Sequence, residues 1–262
     1  MVLISDIFYS LLIVLNLIYL CILRTIFIAK KDLYLMECQR REFHQLPKRK
    51  RSAKARMETF NNMHLAKDMQ FTPTNGMPIL QPYQGSADFE VYAFSERRGL
   101  SGDNQAIHFF QYDCTFDNAI WKNLETTTYE LRHFDYLFTP DYSLYVDDFL
   151  WHQNIDFTYR TRFVGAYWQE CGFNVIPTVS WGNANSLLIA IEGLPKHSLL
   201  AVCGIGNKRS SDHLNLWRYA IKYIEEHLEP LMIIVYGDYV EVPGIHTPLK
   251  FIPDFISKHF RK

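Results

Sequence analysis

The order of apolar and amphipathic patterns over residues 88–252 predicts an α/β fold. It reads as a mainly parallel sheet of about six strands with flanking helices, closed either as an open three-layer sheet or as an incomplete TIM-like barrel. Three observations carry this reading. Short apolar runs alternate with stretches of helical period, as parallel strands and their crossover helices do. The run LMIIVY at 231–236 is apolar on both faces, which suits a strand covered on both sides. The runs also end in turn residues, Asp113, Pro140-Asp141, Gly182, Gly204 and Gly237-Asp238, where strands give way to connections.

Taken in order, residues 89–94 form a first strand, followed by a loop with Gly99 and Gly102. Residues 107–112 (IHFFQY) form a second, ending at Asp113. A helix over 118–131 places Ile120, Leu124 and Leu131 on one face, weakened by three threonines. The third strand, 136–138, ends at Thr139-Pro140-Asp141. The helix over 152–171 carries Ile155, Tyr159, Phe163 and Ala166 on one stripe and stops at Gly172. The fourth strand, 175–179, contains Pro177, which cannot donate to a ladder, so the strand is irregular there or lies at an edge. A short helix fits 186–192. The fifth strand, 199–203, runs into Gly204-Ile205-Gly206. The next helix repeats Leu214, Trp217, Ile221, Ile224 and Leu228 at helical spacing, with Ser211 or Asp212 able to cap it and Pro230 to stop it. The sixth strand is 231–236, and 249–252 adds a seventh before a helical tail.

Three regions are expected: an apolar leader (1–35), a basic arm and irregular linker (36–87), and the α/β domain (88–262). Residues 7–29 are long and apolar enough to cross a membrane if Arg24 snorkels, and Lys30 and Lys31 would then keep the following domain cytoplasmic. The competing reading is translation upstream of a true start at Met36 or Met57. Residues 30–56 carry ten Lys and Arg against Asp32, Glu37 and Glu42, a net charge of +7. From Met57 onward 16 basic residues face 24 acidic ones, a net of −8, so the body is no nucleic-acid surface. Lys48, Arg49, Lys50 and Arg51 are the residues that would meet phosphate or anionic lipid. Cys21, Cys38, Cys114, Cys171 and Cys203 include no C-x-x-C pair and suit reduced thiols in the cytoplasm.

Candidate chemistry gathers beyond the strand ends, where α/β folds build their sites. Asp113, Asp141 and Asp238 end three strands and could act as an acid–base pair or hold a divalent metal. As isolated residues they would serve equally well as helix caps or Asx turns. Ser180, Trp181, Gly204 and Gly206 are expected at the same edge, with Lys208 and Arg209 beside a helix start that could hold an anion. The glycine turn is neither a P-loop nor a dinucleotide fingerprint, because Arg209 stands where a third glycine is needed. The ten histidines show no zinc spacing, and no G-x-S-x-G elbow is present.

The strings IHFFQYD, TPDYSLYVD, TYRTRFVGAYWQ, NVIPTVSWG and MIIVYGD, in this order, resemble the bacterial and phage family called domain of unknown function 4417. The resemblance runs from about residue 61 to 253 and leaves out the apolar leader. It implies association with phages and mobile elements but brings no activity and no catalytic residues. Two functions are therefore carried forward. One is an enzyme or ligand-binding protein using the carboxylate edge around Asp113 and Asp141. The other is a non-catalytic nucleic-acid or protein-binding accessory that uses the 40–56 arm.

Overall fold

The computed structural model describes residues 60–254. The apolar leader with its 7–29 run, the basic arm with Lys48, Arg49, Lys50 and Arg51, and the terminal helical tail lie outside the described residues. The described residues belong to the second of the chain's two units, Arg51–Lys262.

Among the described residues, eight strands, all paired in parallel, follow one another in chain order. They are β1 (Glu90–Ala93), β2 (Gln105–His108), β3 (Tyr136–Phe138), β4 (Asn174–Ile176), β5 (Thr178–Val179), β6 (Leu199–Cys203), β7 (Met232–Tyr236) and β8 (Leu249–Ile252). They form two four-stranded sheets, β1-β2-β3-β4 and β5-β6-β7-β8. Pro177 is the break between the sheets. Phe138 pairs with Ile176 on one side and Thr178 with Ala201 on the other, so one extended segment serves both ladders in turn. The irregularity expected of a strand proline takes this form. The Pro177 carbonyl still accepts from Ala201 N at 2.9 Å.

Side chains alternate cleanly along the strands. Leu199 and Ala201 of β6 and Ile234 and Tyr236 of β7 join Ala106, Phe138 and Ile176 of the first sheet in one core. Leu200, Val202, Ile233 and Val235 point the other way, onto a helix. Rings from the two sheets meet inside: His108 and Tyr236 lie 4.3 Å apart, and Phe110 stacks on Tyr236 at 5.0 Å. At the far ends, Lys250 Nζ of β8 donates to the Ala87 carbonyl just before β1. No ladder joins β8 to β1 among the described residues, so the sheets curl around a shared core without closing.

The helices are α1 (Asp117–Ile120), α2 (Leu124–Glu130), α3 (Trp151–Glu170), α4 (Leu187–Ala190) and α5 (Ser211–Leu228). The single helix expected over 118–131 is two. Asn123 leaves helical geometry (φ −132°, ψ 42°), and its amide donates instead to the Asn118 carbonyl at 2.7 Å. Helix α5 matches its pattern, with Trp217, Ile221, Ile224 and Leu228 buried against the outer sheet face. Ser210, one residue before the expected caps, accepts from His213 N. Among the described residues no helix is long and apolar enough to cross a membrane. The stretch expected as irregular linker is irregular yet packed: Met77 and Leu80 are buried, and Glu192 accepts from the Thr72 hydroxyl and from Asn75.

Candidate functional site

The break at Pro177 builds the site. Beside it the buried Thr139 and Thr178 exchange hydrogen bonds: Thr178 N donates to Thr139 Oγ1 (2.7 Å) and Thr178 Oγ1 donates to the Thr139 carbonyl (2.9 Å). That pair fixes the ends of β3 and β5 side by side. Two residues beyond each threonine stand Asp141 and Ser180, and Ser180 Oγ donates to Asp141 Oδ1. Asp113, in the 3-10 turn Asp113–Thr115 after β2, comes in from the next strand end. Its carboxylate accepts from Ser143 N (3.2 and 3.3 Å) and Ser143 Oγ (3.2 Å).

Electrostatics ties these groups together. Asp141 keeps some exposure as a residue, but burial of its carboxyl lifts its pKa to about 7. The Ser180 hydroxyl opposes that rise, and the Asp113 charge adds to it. Asp113 is itself raised, mainly by burial, against its bonds to Ser143. Cys203 at the end of β6 is pushed up to about 12, first by burial and then by the Asp141 charge. Four groups from four strand ends thus share one neighbourhood. Asp141 is the group whose protonation changes near neutrality, where a general acid or base is most effective.

Behind Ser180 lies a cavity of about 10 Å³, room for roughly one water. Tyr142, Thr158, Thr161, Thr178 and Arg162 line it with Ser180. Arg162, on α3, is 1 % exposed, and its guanidinium donates to the carbonyls of Glu192 (3.0 Å), Thr178 (3.3 Å) and Ala190. Burial lowers its pKa to about 9, partly offset by Glu192. One side chain therefore fixes the main chain on both sides of the segment that carries Ser180.

Of the residues expected at this edge, Asp113, Asp141 and Ser180 come together. Trp181 turns outward and packs on Trp217, ring centres 5.6 Å apart, beneath α5. This follows from strand alternation after Val179, which faces the same way. Asp238 reaches the edge, but among the described residues no hydrogen bond or ion pair joins it to Asp113 or Asp141. Gly237 adopts φ +109° just before it and breaks the alternation from Tyr236. Gly204 is tightly packed: a Cβ would stand 3.0 Å from Val235 Cγ1 and 3.1 Å from the Asp238 carbonyl, so a side chain there would need both neighbours to give slightly. Gly206 takes φ +85° with the Arg209 side chain folded over it, while Lys208 and Arg209 are exposed.

Sequence reasoning missed Cys203, His108 and Arg162. Cys203 was legible by alternation from Leu199 and Ala201. His108 is buried at the end of β2, where its Nδ1 accepts from Phe110 N at 3.1 Å. Arg162 carried no signal, because an arginine beside an apolar helical stripe reads as a surface residue. Among the described residues, no group of three or more His, Cys, Asp or Glu side chains is arranged to hold a metal ion.

The chain is 31 % identical over 136 residues to the Gene 1 protein of Mycobacterium phage L5, a stretch covering 50 % of this chain and 57 % of that protein. It is 28 % identical over 136 residues to the Gene 1 protein of Mycobacterium phage D29, covering 50 % and 48 %. The chain thus spans about half the length of the curated relatives it matches. No solved structure matches it. A family model matches residues 69–251, the strand array short of the last residue of β8 and the site with it, and the chain belongs to the family described as Domain of unknown function (DUF4417).

Proposed function

We propose that this member of a phage-associated family is an enzyme or ligand-binding protein whose working centre is the Asp141–Ser180 pair. Asp141 is its proton donor and acceptor. The supporting observation is the hydrogen bond from Ser180 Oγ to Asp141 at two adjoining strand ends, with Asp113 and Cys203 close enough to shift or feel the Asp141 charge. A carboxyl half-protonated at neutral pH can take a proton from a ligand or return one, and Asp113 tunes it by like-charge repulsion. Arg162 acts as a positioning residue through the main chain of Thr178 and Ala190. Mass spectrometry of small molecules released on denaturing the purified protein is the test. A species carried by the wild type and absent from both Asp141→Asn and Ser180→Ala is expected. The same species on all three proteins would count against the pair.

A second reading rests on the charge asymmetry. The net +7 of residues 30–56 beside an acidic body supports an accessory that contacts nucleic acid through Lys48, Arg49, Lys50 and Arg51. Binding that persists in Asp141→Asn and vanishes without those four cations would favour it.

A further inference from the structure

The connection from β3 to α3 passes over the site as a strap with its inner side anchored. The buried Asn154 accepts from Tyr145 N (2.7 Å) and donates to Tyr145 O (2.9 Å). Asn183 Nδ2 donates to Val146 O and to Asp148 Oδ1, both at 2.8 Å. Gly182 lies so close that a Cβ there would stand 2.2 Å from the Tyr145 carbonyl. Asp113 holds Ser143 on the same strap.

A backbone fixed in this way turns apolar side chains to solvent. Phe149 is 90 % exposed and Val146 70 %, and Tyr112, beside the Asp113 that holds the strap, is 84 % exposed. Single exposed apolar residues are ordinary, but Val146 and Phe149 stand as a crest on a segment whose backbone and Asp148 are held by hydrogen bonds to Asn154 and Asn183. The crest is also anionic. No Lys or Arg occurs from residue 133 to 159, and Asp147 and Asp148 lie between Val146 and Phe149. Among the described residues neither carboxylate takes part in an ion pair. Lys122 and Arg160, the cations at neighbouring Asp117, are paired there and with Asp156.

We infer that this crest docks a segment of another protein that carries Lys or Arg around apolar side chains. The apolar residues supply surface to bury, and Asp147 and Asp148 select a basic partner while repelling nucleic acid and anionic lipid. The inference is independent of the proton chemistry of Asp141, since no crest side chain named here takes part in it.

The test titrates the full-length protein with labelled peptides of equal length in which Leu alternates with Lys, Ser or Glu. The Lys peptide should bind tightest and lose affinity with salt, and the Glu peptide should not bind. Joint Phe149→Ser and Val146→Ser should weaken the Lys peptide by about tenfold or more. Joint Asp147→Asn and Asp148→Asn keeps the local hydrogen bonds but should flatten the salt dependence. Equal binding of all three peptides, no binding of the Lys peptide, or an unchanged serine variant would overturn the inference. Two further results would overturn it by naming another occupant. One is crest-dependent binding to phosphatidylcholine or phosphatidylglycerol vesicles in place of the Lys peptide. The other is a dimer in sedimentation equilibrium that Phe149→Ser dissolves.

Discussion

Replacing Asp141 by asparagine removes a charge from a place where the fold resists charge, while an amide oxygen can still accept from Ser180. An ordinary aspartate titrates near 3.8, and Asp141 in the fold near 7. Because the folded pKa is raised, the unfolded chain ionises first. The folded state then holds the extra proton over the interval between those values. Stability therefore falls as pH rises through that interval and levels off above it. About three pKa units at 1.36 kcal/mol each give a loss of about 4 kcal/mol by neutral pH from this group alone. Urea unfolding of both proteins from pH 3 to pH 8 reads the difference directly. Asp141→Asn should match the wild type below the ordinary aspartate range, exceed it increasingly as pH rises to about 7, and keep a constant lead above that. Parallel pH curves for the two proteins, or a mutant less stable at every pH, would refute the reasoning.

Other perturbations have equally definite outcomes. Arg162→Ala strips three carbonyls of their donor in a buried place and should cost about 3–5 kcal/mol in urea unfolding, more than an exposed arginine would. Glu225 accepts from His246 N, Thr247 N and the Thr247 hydroxyl, bonds that hold its pKa below the usual range. That contribution is present at neutral pH and lost as pH falls through the lowered value, so Glu225→Gln should speed amide exchange at residues 245–247 at neutral pH only. Replacing Lys48, Arg49, Lys50 and Arg51 with alanine should lower the log–log salt slope of DNA binding by about three to four. A salt titration with labelled duplex checks it.

The strands were readable because each is a short apolar run, and six of the seven expected fall where expected to within a residue or two. β2 is the exception. The run IHFFQY predicts a strand over 107–112, yet the ladder ends at His108 because Phe110 N turns to the His108 ring in place of a neighbouring strand. A side chain competing for a backbone donor leaves no periodic trace. The same holds at the site. Asp141 and Ser180 were legible as strand-end residues, but their meeting depends on Thr139 and Thr178 bridging the gap at Pro177. Trp181, expected at the same edge, packs instead under α5, because alternation from Val179 turns it toward Trp217. Asp238 was legible as a strand-end residue and its carbonyl lies close to Gly204, but among the described residues no hydrogen bond or ion pair joins it to Asp113 or Asp141.

Whether Asp141 handles the proton of this site is read from its side-chain carboxyl carbon, followed by NMR across pH and assigned by comparison with Asp141→Asn. A midpoint near 7 is expected, moving down when Asp113→Asn removes the neighbouring charge. A midpoint in the ordinary aspartate range, indifferent to Asp113, would contradict that role.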